Sequence, residues 1–422
     1  MKAVLRGAAQ RFSFPASVVA AAEGAIDDCA SAWAGREVTA LEVTSKVVAA
    51  FARAGLDDAH LAGSTGYAYH DRGREAYEAL LAEILDAPAV LARAQLTSGT
   101  QAIVATIAAL TPPGGRLCML TGRPYDTLRM ALADAPNALA KTGVRYSETP
   151  WKADEELHDE DVIASLRVGP DVVFIQRSRG YAPRRSLNIA DIAKLVELKR
   201  AHAPRAIIVV DNCYGELVEA REPGAVGADV AVGSLIKNPG GGMAATGAYV
   251  AGTPELVARV ADRVFAPGLG GAVGPTLEGQ RWMLAGLHRA PRAVAESLKV
   301  LDFAAALFAR LGFVVSPKTG EQRTDIIQAI RLKSVTNIVA FARGLQKLLP
   351  INARAAPEPG PVPGYAEPVI MAGGAFVSGS TLELSCDAPL REPFEMYLQG
   401  GMDAGHGMLA TMSAAAAVMA QS

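Results

Sequence analysis

Five short apolar runs constrain this chain more than any other feature: Arg116 to Leu120, Asp171 to Gln176, Ala206 to Asp211, Asp229 to Ser234 and Thr246 to Ala251. Each is brief and rich in β-branched or other apolar residues, the pattern of strands buried on both faces. Between them, Thr100 to Leu110 and Ile189 to His202 repeat apolar residues at helical spacing. Buried strands alternating with helices predict an α/β fold with an open parallel or mixed sheet and helices on both of its faces.

The flanks read differently. Residues 1–65 hold no clear strand, and Asp27 through Arg53 places apolar residues every three or four positions, so an N-terminal helical arm is expected. Gly63 to Gly73 reads as a Gly- and Tyr-rich loop leading into a helix from about Arg74 to Leu85. Beyond the loop-rich zone Pro267 to Pro275, residues 276–312 read as a long amphipathic helix, followed by turns and short strands, one at Ser380 to Ser385. The expected division is an arm at 1–65, a large domain at 66–275, and a linking helix with a smaller α+β domain at 276–422. Ala355 to Pro368 is too rich in proline for regular structure and reads as a surface connector or a lid, and Ser413 to Ser422 as a frayed helix end.

Composition narrows the partners. The 41 basic and 43 acidic residues nearly balance and do not run in blocks, which argues against nucleic acid and anionic membranes and for a small-molecule ligand. Cys29, Cys118, Cys213 and Cys386 are scattered, without a CxxC pair or a His at zinc-ligand spacing, so neither a disulfide framework nor a metal site is expected. The apolar run Val18 to Ala22 is too short for a secretory leader and no stretch approaches a spanning helix, so a cytoplasmic location is expected.

The chemistry concentrates where two of these runs stop. Ile207-Ile-Val-Val-Asp-Asn212 is followed, 26 residues beyond Asp211, by Lys237 within Gly233-Ser-Leu-Ile-Lys-Asn-Pro-Gly-Gly-Gly242. In open α/β sheets ligands bind at the carboxyl ends of strands, so a carboxylate and an amine are delivered to one crevice. Alone, Asp211 is a turn cap and Lys237 a solvated loop residue. Together they suit pyridoxal 5′-phosphate, whose pyridine nitrogen pairs with a carboxylate and whose aldehyde is held by a lysine Schiff base. Ser98-Gly-Thr at a helix start is either an ordinary N-cap or a phosphate site, with Ser234 offering a further hydroxyl at the same edge. No Walker-type GxxxxGK[ST] occurs, and no GxGxxG follows a predicted strand and opens a helix, which disfavours nucleoside triphosphates and dinucleotides.

These residues resemble the methionine gamma-lyase family, also called aluminium resistance proteins, among the fold-type I pyridoxal-phosphate enzymes. The resemblance runs from about 65 to 402 through Ser98-Gly-Thr, Thr121-Gly-Arg-Pro-Tyr-Asp-Thr-Leu128, Ile175-Gln-Arg-Ser-Arg-Gly-Tyr181, Val210-Asp-Asn-Cys-Tyr-Gly-Glu-Leu-Val-Glu219, Gly233 to Gly242, Arg323-Thr-Asp-Ile-Ile-Gln328 and Tyr397-Leu-Gln-Gly-Gly401. It implies a fold-type I large domain with a mixed, mostly parallel sheet beside a smaller α+β C-terminal domain, and a carbon–sulfur lyase acting on a sulfur-containing amino acid by β- or γ-elimination, assembled as a homodimer or homotetramer with shared active sites. Aldolase or aminotransferase chemistry is the alternative within the same cofactor class, and a non-catalytic metal-tolerance role the alternative outside it.

The resemblance also implies roles. Lys237 becomes the Schiff-base lysine and general base, Asp211 the pyridinium partner, and Ser98, Gly99, Thr100 and Ser234 the phosphate ligands. Tyr125 stands near the position of a ring-stacking tyrosine that acts as an acid, and is equally readable as a packed turn residue. Tyr69 and Arg72 have the residue types, though not the spacing, of a pair lent to the neighbouring subunit's phosphate. Arg391, ahead of Arg323, is the candidate for the substrate carboxylate. Gln101 departs from the histidine common in the family, which puts cofactor geometry or substrate choice in question.

Overall fold

The computed structural model describes residues 2–151 and 156–421. The chain opens with α1 (Lys2–Arg11) and the 39-residue α2 (Ala16–Ala54), longer than the stretch from Asp27 that the spacing predicts. It continues through α3 (Arg72–Ile84), β1 (Ala89–Arg93), α4 (Gly99–Leu110), β2 (Arg116–Met119), the short α5 (Asp126–Arg129), β3 (Arg145–Glu148), α6 (Asp159–Arg167), β4 (Val172–Gln176), α7 (Ile189–His202), β5 (Ile207–Asp211), β6 (Val230–Ser234), β7 (Ala248–Gly252), α8 (Pro254–Val264) and α9 (Gln280–Arg310). Then come β8 (Val314–Ser316), β9 (Ile327–Arg331), α10 (Val335–Gln346), β10 (Val369–Gly373), β11 (Ser385–Pro389), β12 (Glu395–Gln399) and α11 (Ala404–Met419).

Two compact units result: residues 43–290, and residues 1–42 together with 291–422. The expected three-part order is therefore replaced, because the first half of α2 belongs with the C-terminal segment. The second boundary falls at Pro291, inside α9, and not at the loop near 275.

In the unit of residues 43–290 seven strands lie in the order β1-β7-β6-β5-β4-β2-β3. Only β7 runs antiparallel to its neighbours, as the mixed, mostly parallel expectation requires. Side chains alternate across the strands with period two. Leu117, Met119, Val172, Phe174 and Val209 meet Ile103 and Ile107 of α4 and Val257 and Val260 of α8. Cys118, Leu120, Val173, Ile175, Ile208 and Val210 meet Val162 and Leu166 of α6 and Ile192, Leu195 and Val196 of α7. Both faces are thus covered, and the polar groups of the central strands emerge only at the strand ends.

The other unit holds a five-stranded antiparallel sheet in the order β10-β11-β12-β9-β8. Two expectations fail here. The strand expected at Ser380 to Ser385 begins only at Ser385, because the Glu383 carboxylate accepts from Phe376 N and Val377 N and closes a local turn. The tail is not a frayed end: α11 runs to Met419, buries Ala410, Ala414, Ala415 and Val418, and donates from Ser413 Oγ to Gly344 O. The proline-rich stretch is largely exposed and touches regular structure through a bridge between Gly360 and Val369.

All four cysteines are unpaired and buried. Among the described residues no group of three or more His, Cys, Asp or Glu could hold a metal ion, and no helix is long and apolar enough to cross a membrane.

Candidate active site

Gln176, Asp211 and Ser234 end β4, β5 and β6, which are adjacent in the sheet. One edge therefore presents all three. Asp211 is buried and its Oδ1 accepts from Cys213 N at 3.1 Å. Burial pushes its carboxyl up to about 6, against the hydrogen bonds from Cys213 and the positive charges of Lys237 and Arg184.

Lys237 lies in the turn after β6, its N donating to Ser234 O at 3.3 Å. Its Nζ sits 3.9 Å from the centroid of the Tyr214 ring. Burial works against the ammonium, but Tyr214, Cys213 and Glu216 outweigh it, and the amine's pKa is raised. The following residue locks the turn: Asn238 Nδ2 donates to Tyr214 O at 3.0 Å and to Glu216 O at 2.8 Å. Gly241 has φ +53° and lies so close to Gly286 O that a Cβ would stand 2.2 Å from it. The glycine run after Lys237 is thus a packing requirement.

The α4 terminus is seated against these strand ends. A Cβ on Gly99 would lie 3.3 Å from both Cys213 Sγ and Ser234 Cβ, so only glycine lets the helix start approach this closely without crowding them. Ser98 is the N-cap, its Oγ accepting from Gln101 N at 3.1 Å, and its own O–H remains a donor. Gln101 turns back to cap Thr97, accepting from its N at 2.7 Å and its hydroxyl at 2.8 Å. Thr100 Oγ1 and the Tyr125 hydroxyl are 3.2 Å apart. Tyr125 N donates to Gln176 Oε1 at 3.1 Å, which fixes the ring's root at the β4 end. Burial, and then the Asp211 charge, raise the Tyr125 hydroxyl well above its ordinary value, so it keeps its proton.

Sequence reasoning gave no role to the polar layer behind Asp211. Arg177 is fully buried and donates to Asn212 Oδ1 and Glu219 Oε2, each at 2.7 Å, with Glu222 at 3.6 Å. Asn212 donates onward to Glu222 at 2.9 Å and Tyr249 Oη at 3.3 Å, and Tyr249 to Glu216 at 3.0 Å. Burial pushes Glu216 up to about 8. Tyr214 and Arg184 were also without a role, although both sit in quoted motifs or just beyond them; their positions at this edge emerge only from the folded chain.

Each of the remaining candidates is held by local contacts of its own. Tyr69 stacks on Tyr67, centroids 5.7 Å apart, and both are exposed. Arg72 pairs with Asp57 at 3.5 Å on the surface. Their loop is held firmly, since Asp71 accepts from Ser64, Thr276 and Arg74 N, and Arg74 donates to Ala68 O and Gly274 O. Arg323 is buried in the other unit, bonded to Asp302 at 2.5 Å, Gln328 at 2.6 Å and Leu301 O at 2.9 Å. Arg391, in that unit too, pairs with Glu367 at 3.5 Å.

The methionine gamma-lyase family model matches residues 18–419. An uncharacterised Bacillus subtilis protein, YnbB, is 38% identical over 378 residues, 89% of this chain and 90% of its own. A Clostridium novyi structure described as a carbon–sulfur lyase involved in aluminium resistance is 34% identical, covers 97% of this chain and 98% of that one, and superposes with a TM-score of 0.92. A Clostridium acetobutylicum structure, described as a candidate cystathionine beta-lyase involved in aluminium resistance, is 35% identical over 99% of both chains with a TM-score of 0.94. The fold is that of the fold-type I pyridoxal-phosphate enzymes. With the family model spanning nearly the whole chain and relatives this similar along their full length, the protein belongs to the methionine gamma-lyase family.

Proposed function

We propose that this chain is a pyridoxal 5′-phosphate-dependent carbon–sulfur lyase that cleaves a sulfur-containing amino acid of the methionine, cystathionine or cysteine type by β- or γ-elimination. The observation that carries the reading is the buried Asp211 on the strand end beside the one that leads into Lys237, with the α4 terminus packed onto Ser234. The donors suit the cofactor: a close-approach glycine, helix N–H groups and three hydroxyls for a dianion, a carboxylate for a ring nitrogen, and an amine for an aldehyde. The substrate class is supported by the family and by the Clostridium relatives, described as a candidate cystathionine beta-lyase and a carbon–sulfur lyase.

When bound, the cofactor supplies an electron sink for negative charge developing at the substrate Cα. Lys237 Nζ would hold its aldehyde carbon, and Asp211 would keep a proton on the ring nitrogen. The N–H groups of Gly99 and Thr100 and the hydroxyls of Ser98, Thr100 and Ser234 would hold the phosphate, while Gln101 braces the turn through Thr97. Tyr125 would lie beside the ring. The Lys237 amine would take the proton from the substrate Cα, and the Tyr125 hydroxyl would give its proton to the departing sulfur. For β-elimination the Cβ–S bond breaks, and with one water the products are a thiol, pyruvate and ammonium; γ-elimination gives 2-oxobutyrate in place of pyruvate. Tyr69 and Arg72 serve the phosphate of a neighbouring copy in a homodimer or homotetramer, which suits a rigid loop with outward-facing donors.

Purified protein should show an absorption band at about 420 nm that borohydride abolishes, and release thiol with a 2-oxo acid from cystathionine, cysteine or methionine. Lys237→Ala should lose the band and all turnover. A Lys237→Ala protein that keeps the band, or glycine plus an aldehyde as the products from threonine with no thiol from any sulfur substrate, would overturn the reading.

A further inference from the structure

Arg184 is an unusual buried cation. It is 7% exposed, donates from Nη1 to Thr121 O, and lays its guanidinium 4.8 Å from the centroid of the Trp151 ring. Among the described residues its Nε is buried without a hydrogen-bond partner, and no carboxylate stands within ion-pair distance of it. Of the other buried arginines, Arg177 pairs with Glu219, Arg93 with Glu78 and Arg323 with Asp302, while Arg179 donates from Nε to Ala182 O at 3.3 Å. Among the described residues Arg74 has no ion pair either, but it donates to the carbonyls of Ala68 and Gly274. A desolvated charge is costly unless an opposite charge meets it. Arg184 has the further burden of Arg179, whose like charge, after burial itself, lowers its pKa to about 10. Asp211 is the anion it senses, and Asp211 also faces Lys237.

Position identifies the missing anion. Gly99 and Ser234 place the phosphate donors at the β6 end, whereas Thr121 places Arg184 just beyond β2. The order β6-β5-β4-β2 puts Asp211 between them. With strands about 4.8 Å apart, the two flanks are separated by about 14 Å, too far for one phosphate to satisfy both. The group that Arg184 awaits therefore belongs to another part of the ligand. A guanidinium set over an indole ring and bonded to Thr121 O offers a planar fork, which matches a carboxylate better than a point charge would.

We propose that Arg184 anchors the α-carboxylate of the amino-acid substrate on the β2 flank of the site, an inference that rests on the lyase reading above. Arg184, not its charge alone, then selects amino acids over the corresponding amines.

The test is a spectral titration of the cofactor-loaded protein with S-methyl-L-cysteine, which has a single carboxylate, and with 2-(methylthio)ethylamine, which has none. Arg184→Gln should raise the half-saturation concentration for the amino acid on the order of 10- to 100-fold, the range for losing a charged hydrogen bond, and leave that for the amine within about twofold. Arg184→Lys, which keeps the charge but loses the fork and the stack, should recover only part of the loss, and it carries the same comparison if the Gln variant does not fold. Equal weakening of both compounds, or none, overturns the anchor while the wild-type band and products leave the lyase reading intact. A wild-type protein without the borohydride-sensitive band overturns both.

Discussion

Around the start of α4 the polar groups are neutral and close in sequence: Ser98 caps the N–H of Gln101, and Gln101 caps Thr97. Behind Asp211 they are charged, buried and distant in sequence, with Arg177 reaching Asn212, Glu219 and Glu222, and Tyr249 reaching back to Glu216. The first region offers unspent backbone donors to a ligand and loses little if one cap goes. The second has its charges committed to one another, so it holds the Asp211 to Lys237 turns in place and gives nothing to a ligand. Binding and rigidity are thus assigned to different chemistry at one sheet edge.

The largest effect should come from the committed charges. Arg177→Leu leaves Glu219 and Glu222 without their cation, and breaking a buried pair from one side costs about 3–5 kcal/mol. Denaturant unfolding of the variant should show a loss of that size, together with weaker cofactor retention as the Asn212 contact goes. A loss under about 1 kcal/mol, the range for exposed pairs, would mean that the layer is not the rigid element described here.

Asp211 sits where the two regions meet, and its titration sharpens the contrast. Its carboxyl is pushed from 3.8 to about 6 by burial, so the folded protein binds a proton that the unfolded chain has released. That contribution to stability is full below pH 3.8 and lost as pH rises through about 6. In protein freed of cofactor, Asp211→Asn should therefore match wild type near pH 4 and exceed it by up to about 3 kcal/mol at pH 7, at 1.36 kcal/mol per unit. A variant less stable than wild type at pH 7 would show that attraction to Lys237 and Arg184 outweighs the burial of the carboxylate.

The same contrast explains what could be read from residues alone. β4, β5 and β6 are legible because Val and Ile fill them and the polar residues stop them. β3 is not, since Arg145-Tyr-Ser-Glu148 is an edge strand with alternate side chains exposed and no apolar run. Asp211, Lys237 and Ser98 stand out because strand ends and helix starts are local signals. Gln101 was legible as a departure but not in its consequence, since its amide turns to Thr97. Arg177 and its partners lie 35 and 42 residues apart along the chain, and nothing local marks such pairs. Arg184 was hidden for a related reason: a missing partner is visible only once the surroundings are built.

The smallest effect should come from the cap. Ser98→Ala removes the acceptor for Gln101 N, a change that costs about 1 kcal/mol at helix N-caps. The N–H groups of Gly99 and Thr100 and the hydroxyls of Thr100 and Ser234 stay, so the phosphate loses one donor of several. Cofactor affinity should fall by no more than about tenfold, the worth of one hydrogen bond, and the absorption band should persist at saturating cofactor. Ser98→Ala and Arg177→Leu compared side by side then decide whether the edge is divided as argued. If the cap variant loses as much stability as the Arg177 variant, α4 is not merely seated on the strand ends but is part of what holds them.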